Sequence, residues 1–373
     1  MNTGNKLKSL PSELSACRDL ELVRLASNQL ESIPSWLFDL PKLSWIALSG
    51  NPMISKERAS PSESAAEVPM TDFEVAETLG EGTSGVVKRA IWKSRGLEVA
   101  LKIFKSVSTS DGNPLDEMRA ALSVGRHPNT PVVHGAVRDG SQLGLILDLV
   151  PPVYTSLGNP PSFASVTRDT YNPDVRFSEE EIMRTLIGIA SICAHLHERG
   201  LCHGDLYAHN ILVDRTGSLP PLLCDFGAAF SYDREKGMNF EPFEVRAYGL
   251  LAEELSERVQ QPSSGGYSGF DRQQLGRIIS SCLVENPSKR PPFARIAADL
   301  SKMIELSTKD MVSPSNAIDS NSGTGMRLNT FHTLCGTAIL AVCVGVILRL
   351  FAFSSDAGYR DSTDYNSNSK REL

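Results

Sequence analysis

The sequence lacks several features that would each have named a class of protein. Positive charge is not in excess: the formal net charge of the 373 residues is -7, so no broad basic surface draws the chain to nucleic acid. Cysteine pairs are missing. Cys17, Cys193, Cys202, Cys224, Cys282, Cys335 and Cys343 are scattered without metal-ligand spacing, and they read as free thiols in a reducing compartment. The opening stretch MNTGNKLKSLPSELS has no apolar core of signal-peptide length, which starts the bulk of the chain in the cytosol. A disordered or fibrous composition is also absent. Hydrophobic residues at 41% and charged residues at 22% describe globular domains, and the length implies two or three units.

What is present begins with a repeat. Leu20, Val23, Leu25 and Asn28 recur 23 positions later as Leu43, Ile46, Leu48 and Asn51, and Asn28, Leu30, Pro34 and Leu37 look back to Asn5, Leu7, Pro11 and Leu14. The spacing resembles the leucine-rich repeat, with one short strand per turn, leucines inward and the asparagine bonding backbone along the turn. A chance amphipathic segment is the bland alternative, and one period shared by many positions argues against it. The array, taken as residues 1–55, begins mid-repeat at Asn5. It is shorter than the roughly three repeats that stacking normally needs. Either it leans on the next domain or more repeats lie upstream.

Residues 56–70 are rich in Ser, Pro, Glu and Ala and read as a flexible linker. A domain is expected over 71–305, followed by a second polar linker over 306–329. The uncharged run Leu334–Leu348, extended to Thr330–Phe353 with Arg349 snorkelling, is long enough for a hydrocarbon core of about 30 Å. A buried core helix is the alternative. The position after a linker favours a transmembrane helix at 330–353, with a tail at 354–373 ending in KREL, a loose likeness to an ER-retention signal.

The middle domain carries the chemistry. Gly80, Gly82 and Gly85 followed by Val87 form G-x-G-x-x-G-x-V, which alone is weak because many glycine triples are hairpins. Next comes EVALKIF, a buried-strand pattern with one lysine. Lys102 among Val99, Ala100, Leu101 and Ile103 needs an anionic partner, and the helical stretch after it offers Glu117, with Asp116 as second choice. The decisive run is HLHERGLCHGDLYAHNILVD followed by LLCDFGAA.

Here the chain resembles the protein-kinase superfamily, matching H-R-D-L-x-x-x-N at His203, Asp205, Leu206 and Asn210, and D-F-G at Asp225, Phe226 and Gly227. The resemblance implies an α+β, two-lobed kinase fold that binds ATP and Mg²⁺. Asp205 would accept the proton of a substrate hydroxyl, Lys102 and Glu117 would pair, and Asn210 and Asp225 would hold the metal. Nucleotide would lie against Gly80, Gly82, Gly85, Val87, Ala100 and Lys102. The backbone from Asp148 to Val150 would bond adenine, with Leu147 at the back of the pocket. EVRAYGLLAEEL resembles the central helix of the larger lobe, with Glu244 where an Asp is usual, and CLVENPSKRPPF, with Arg290, resembles its closing region. HGDLYAHN behind leucine-rich repeats also looks like a group of compact repeat-kinase proteins.

The pattern breaks in places. Gly204 replaces the usual Arg that pairs with a phosphorylated activation loop, and Tyr207 replaces a usual Lys at the γ-phosphate. His209, where some tyrosine kinases carry Arg, becomes the candidate for that phosphate contact, with a backbone-bonding strut as its alternative. The activation segment is short and has no A-P-E, which weakens the expected docking floor for peptides. Two functions stay open: a protein kinase acting on Ser/Thr hydroxyls of a protein substrate, or an ATP-binding pseudokinase scaffold. A pure interaction protein is disfavoured by the intact metal ligands. The expected partners are a protein substrate, a ligand of the repeats and a membrane. The expected topology is a C-terminal anchor, with the ER as one candidate membrane and repeats and kinase together in the cytosol; a wholly cytoplasmic chain is the alternative.

Overall fold

In the computed structural model the described residues are 3–54, 67–105, 109, 111–140, 142–162, 164–260 and 271–312, with side chains to 305. All of them belong to one compact unit. The expected transmembrane run 330–353, the tail 354–373 and most of both linkers lie outside the described residues. Among the described residues no helix is long and apolar enough to cross a membrane.

The N-terminal coil holds two short strands, β1 (Leu22–Arg24) and β2 (Trp45–Ala47), paired in parallel with Leu22 opposite Trp45 and Arg24 opposite Ala47. That register reproduces the 23-residue shift of the sequence. Asn51 explains why the turns stack: its Oδ1 accepts from Leu30 N at 3.0 Å while its Nδ2 donates to Leu25 O and Leu48 O. Asn28 does the same one turn earlier, accepting from Leu7 N and donating to Leu25 O. The buried amides thus satisfy backbone groups that strands this short leave unpaired.

The smaller lobe is a six-stranded sheet of order β3-β7-β8-β6-β5-β4. Its strands are β3 (Glu67–Val68), β4 (Phe73–Glu81), β5 (Gly85–Trp92), β6 (Leu97–Phe104), β7 (Val133–Asp139) and β8 (Gln142–Asp148). Helix α1 (Pro114–Ser123) packs on it, started by Pro114 and by Asn113, whose side chain accepts from Asp116 N. The expected linker over 56–70 is corrected at its end. Glu67 and Val68 form β3, parallel to β7, because Val68 completes the sheet core with Phe73, Trp92 and Ile146.

The larger lobe contains β9 (Tyr154–Ser156), α2 (Glu179–Glu198), β10 (Leu201–Cys202), β11 (Ile211–Asp214), β12 (Leu222–Leu223), β13 (Phe230–Ser231), α3 (Glu241–Glu257), α4 (Arg272–Cys282) and α5 (Phe293–Val312). A capping box of Ser178 and Glu181 starts α2. Helix α5 runs past the expected domain end at 305, so the second linker begins later than 306.

The coil is not a separate bead. Leu25, Leu30, Leu37, Leu40, Leu43, Ile46 and Leu48 share one core with Phe230, Tyr232, Phe240 and Phe243 of the larger lobe. Phe38 stacks on Phe243 at 5.9 Å. Arg290, 6% exposed, donates to Pro41 O in the coil and to Pro242 O at the start of α3. Each fully buried leucine contributes about 1.5–3 kcal/mol, so this shared core stabilises coil and lobe together.

Candidate active site

Strand alternation sorts β6 into two faces. Val99 and Leu101 enter the sheet core, while Ala100 and Lys102 face the other way. Val87 lies opposite Lys102, Leu147 opposite Ala100 and Leu145 opposite Lys102, so these five residues line one wall of the interlobe cleft. At the end of β8 Asp148 turns its carboxylate to Val132 N and to His134 Nε2 at 2.7 Å, which fixes the chain leading to Val150.

Lys102 finds the partner its burial demands. Its Nζ bonds Glu117 of α1 and lies 3.4 Å from Asp225 Oδ1. Burial alone would lower the ammonium, but the two carboxylates outweigh it and hold the pKa above the ordinary lysine value. Asp116, the second choice, is instead occupied at the start of α1 by Asn113 and Arg119.

The glycines divide by cause. A Cβ at Gly80 or Gly82 would meet nothing within 4 Å, so the protein itself leaves open space there. A Cβ at Gly85 would come within 2.6 Å of Ile103 O, so strand pairing alone requires that glycine. Lys105 donates to Gly82 O at 2.9 Å and pairs with Glu81, tying the hairpin tip back to β6.

The catalytic-loop motif forms one hydrogen-bonded knot. Asn210 Nδ2 donates to Asp205 O at 2.9 Å and to Asp205 Oδ2 at 3.0 Å. His203 accepts from Asp205 N on Nδ1 and therefore donates from Nε2 to Cys224 O at 3.1 Å. Asp225 adopts φ 58°, a costly value for a non-glycine, and turns a side chain 53% exposed toward the cleft. Glu244, where an Asp is usual, is fully buried and accepts Gly204 N at 2.6 Å while its other oxygen meets His197 Nε2 at 2.6 Å.

His209 and Tyr207 are placed by other residues. The backbone N–H and Nδ1 of His209 both bond the Asp169 carboxylate, at 3.0 and 2.8 Å. Tyr207 stacks on Trp45 of the coil with ring centres 4.5 Å apart and planes within 3°. Burial, then Asp205, push its phenol pKa well above the ordinary range, so it stays a neutral hydroxyl.

Four site residues escaped the sequence reading: Arg24, Trp45, Asp111 and Asp169. Arg24 Nη2 lies 2.6 Å from Asp205 Oδ1 and its other terminal nitrogen pairs with Asp111. Trp45 Nε1 donates to Leu206 O at 3.0 Å, and Ile46 N donates to Gly204 O at 3.2 Å. The stretch 151–178 supplies Asp169 and also Thr167 and Arg168, which bond Glu21 of the coil. Ser231 and Tyr232 of the activation segment are buried, at 6% and 0% exposure, beneath the coil.

These features lie around one cleft between the two lobes, and residues 73–248 match the family model described as protein kinase domain. That family uses ATP and Mg²⁺. It is similar to ribosomal protein S6 kinase alpha-1 of Mus musculus, 30% identical over 229 residues, covering 61% of this chain and 28% of the relative. Ribosomal protein S6 kinase alpha-3 of Homo sapiens is 30% identical over 172 residues, 46% of this chain and 21% of the relative. A probable serine/threonine-protein kinase of Dictyostelium discoideum is 24% identical over 270 residues, 62% and 28% of the two chains. The chain spans about a quarter of the length of these curated relatives.

Proposed function

We propose that the chain is an ATP-dependent protein kinase acting on serine and threonine hydroxyls. The observation that carries this reading is the joint placement of Lys102, Glu117, Asp205, Asn210 and Asp225 around one cleft. The donor set suits the metal. Asn210 commits its nitrogen to Asp205, which leaves its side-chain oxygen, and Asp225 offers a carboxylate; hard oxygen donors in small number are what Mg²⁺ takes beside phosphates. When bound, Mg²⁺ neutralises the phosphate oxygens. The chain's own part is positional: Lys102 holds phosphate oxygens, Gly80 and Gly82 leave room for them, and Asp205 accepts the hydroxyl proton as the acceptor oxygen bonds phosphorus and ADP departs. The name of the Dictyostelium discoideum relative, a probable serine/threonine-protein kinase, supports serine/threonine chemistry.

The coil fits a leucine-rich repeat by its 23-residue register and asparagine bonds, and its uncovered surface is the part left for a partner. The apolar run 330–353 supports a C-terminal membrane anchor with the kinase on the cytosolic side. A second reading, an ATP-binding scaffold without transfer, is favoured by the coil lying over Asp205 and the activation segment. One experiment separates them: the purified chain with Mg-ATP, assayed for nucleotide binding and phosphate incorporation. Binding with transfer that Lys102→Met and Asp225→Asn each reduce at least about a hundredfold supports the kinase. Binding with no transfer supports the scaffold, and absence of binding overturns both.

A further inference from the structure

The carboxylate at the heart of the catalytic loop is held from outside the kinase domain. Arg24 belongs to β1, 181 positions before Asp205, yet its guanidinium spans Asp205 on one side and Asp111, just ahead of α1, on the other. Its side chain is 9% exposed. Burying a guanidinium is unfavourable unless carboxylates compensate it, and here two do. They hold its pKa above even the ordinary arginine value against the effect of burial.

The surroundings are built to receive this residue. Gly204 takes φ 77°, and a Cβ there would lie 2.4 Å from Ile46 O and 2.9 Å from Ala228 O. The loop can therefore approach β2 only because it has no side chain at that position. Trp45 stacks on Tyr207 and donates to Leu206 O, pinning the two residues after Asp205. Ser49 Oγ donates to Asp111 O, so the coil also grips the approach to α1, the helix that carries Glu117. The core beneath the contact is continuous between coil and lobe.

Gly204 and Tyr207 bring no charge to the loop and His209 Nδ1 bonds Asp169, whereas Arg24 meets Asp205 directly. We propose that Arg24 is a positioning residue of the phosphotransfer centre. With one guanidinium fork it ties the Asp111 side, and so α1, to Asp205, holding Asp205 Oδ1 while Asn210 holds Oδ2. The coil is thereby a fixed part of the catalytic centre, and the kinase is set in its working arrangement without loop phosphorylation.

This rests on the kinase reading, so the test carries its own control. The full chain is compared with Arg24→Gln, Arg24→Lys and Asp225→Asn, using Mg-ATP as the probe. Autophosphorylation and ATP hydrolysis give kcat and KM, equilibrium binding gives nucleotide affinity, and thermal melting reports folding. Arg24→Gln, which keeps hydrogen bonding but loses charge, is expected to lower kcat at least tenfold with Mg-ATP affinity changed less than twofold. Arg24→Lys keeps charge but cannot bridge both carboxylates, and is expected to fall between wild type and Arg24→Gln. An unchanged or raised kcat in Arg24→Gln overturns the proposal, the latter pointing to a blocking arginine. A kcat loss that only tracks lost melting temperature overturns it in favour of a strut. If Arg24→Gln does not fold, Arg24→Lys decides, and a wild-type kcat there overturns the proposal. If wild type and Asp225→Asn show the same background, the kinase reading itself fails and this inference with it.

Discussion

The two walls of the cleft hold their key charges by different means. In the upper wall Lys102 is met by Glu117 and Asp225, all within the matched residues 73–248. In the lower wall Asp205 is met by Asn210 from its own motif and by Arg24 from the coil. One wall is self-contained and the other is completed by a neighbour. A buried charge must find an opposite charge, but nothing requires that charge to come from the same domain.

The largest expected effect tests whether the lower wall depends on the coil. Gly204→Arg restores the residue common in relatives of the motif, yet its side chain would enter Ile46 O and Ala228 O at a positive φ. The expected loss is more than about 4 kcal/mol of unfolding free energy, read from urea titration. A variant as stable as wild type would show that the loop does not need the coil's close approach.

Trp45→Ala comes next. It removes the partner of Tyr207 and the donor to Leu206 O, and is expected to cost about 3–5 kcal/mol by the same titration. Because Lys102 and Glu117 do not touch Trp45, Mg-ATP affinity of the folded variant should stay within about twofold of wild type. A parallel fall in affinity would erase the distinction between the walls.

The smallest effect concerns His209. Burial alone would lower its pKa, but the hydrogen bond and charge of Asp169 outweigh burial and raise it above the ordinary value. The folded protein therefore holds this proton more tightly than the unfolded chain. The resulting stability is fully present below the ordinary histidine pKa of about 6.5 and is lost as pH rises through the folded pKa. The stability gap between wild type and His209→Asn should be widest below the ordinary histidine pKa and narrow as pH rises through the raised folded value, leaving about 1 kcal/mol for the neutral hydrogen bond. A gap independent of pH would mean that Asp169 does not act on the imidazole as a charge.

What could be read from sequence divides along the same line. Lys102, Asp205, Asn210 and Asp225 were legible because each sits in a short run whose spacing carries its chemistry. The leucines of the coil were legible through their period, and Glu244 through its place in a helix pattern. Arg24 and Trp45 were not, since a strand position facing away from the coil core reads as ordinary surface, and Asp111 lies in a bend ahead of α1 that carries no pattern. A signal did exist. A coil with so few turns cannot bury its own face, and a tryptophan on that face asks for a partner. Asp169 lay in a stretch without periodicity, where no pattern marks one carboxylate above another.

The shared core of Leu25 to Leu48 with Phe240 and Phe243 has a consequence for how the chain is made. The coil leaves the ribosome first, but the aromatic surface that covers its leucines follows about two hundred residues later, at the usual pace of some 5–20 residues per second. During that interval its apolar face is exposed, and the loop that must close is long. Synthesis of this protein is therefore expected to draw on chaperones that shield the coil until α3 is complete, with aggregation of the nascent chain as the alternative fate.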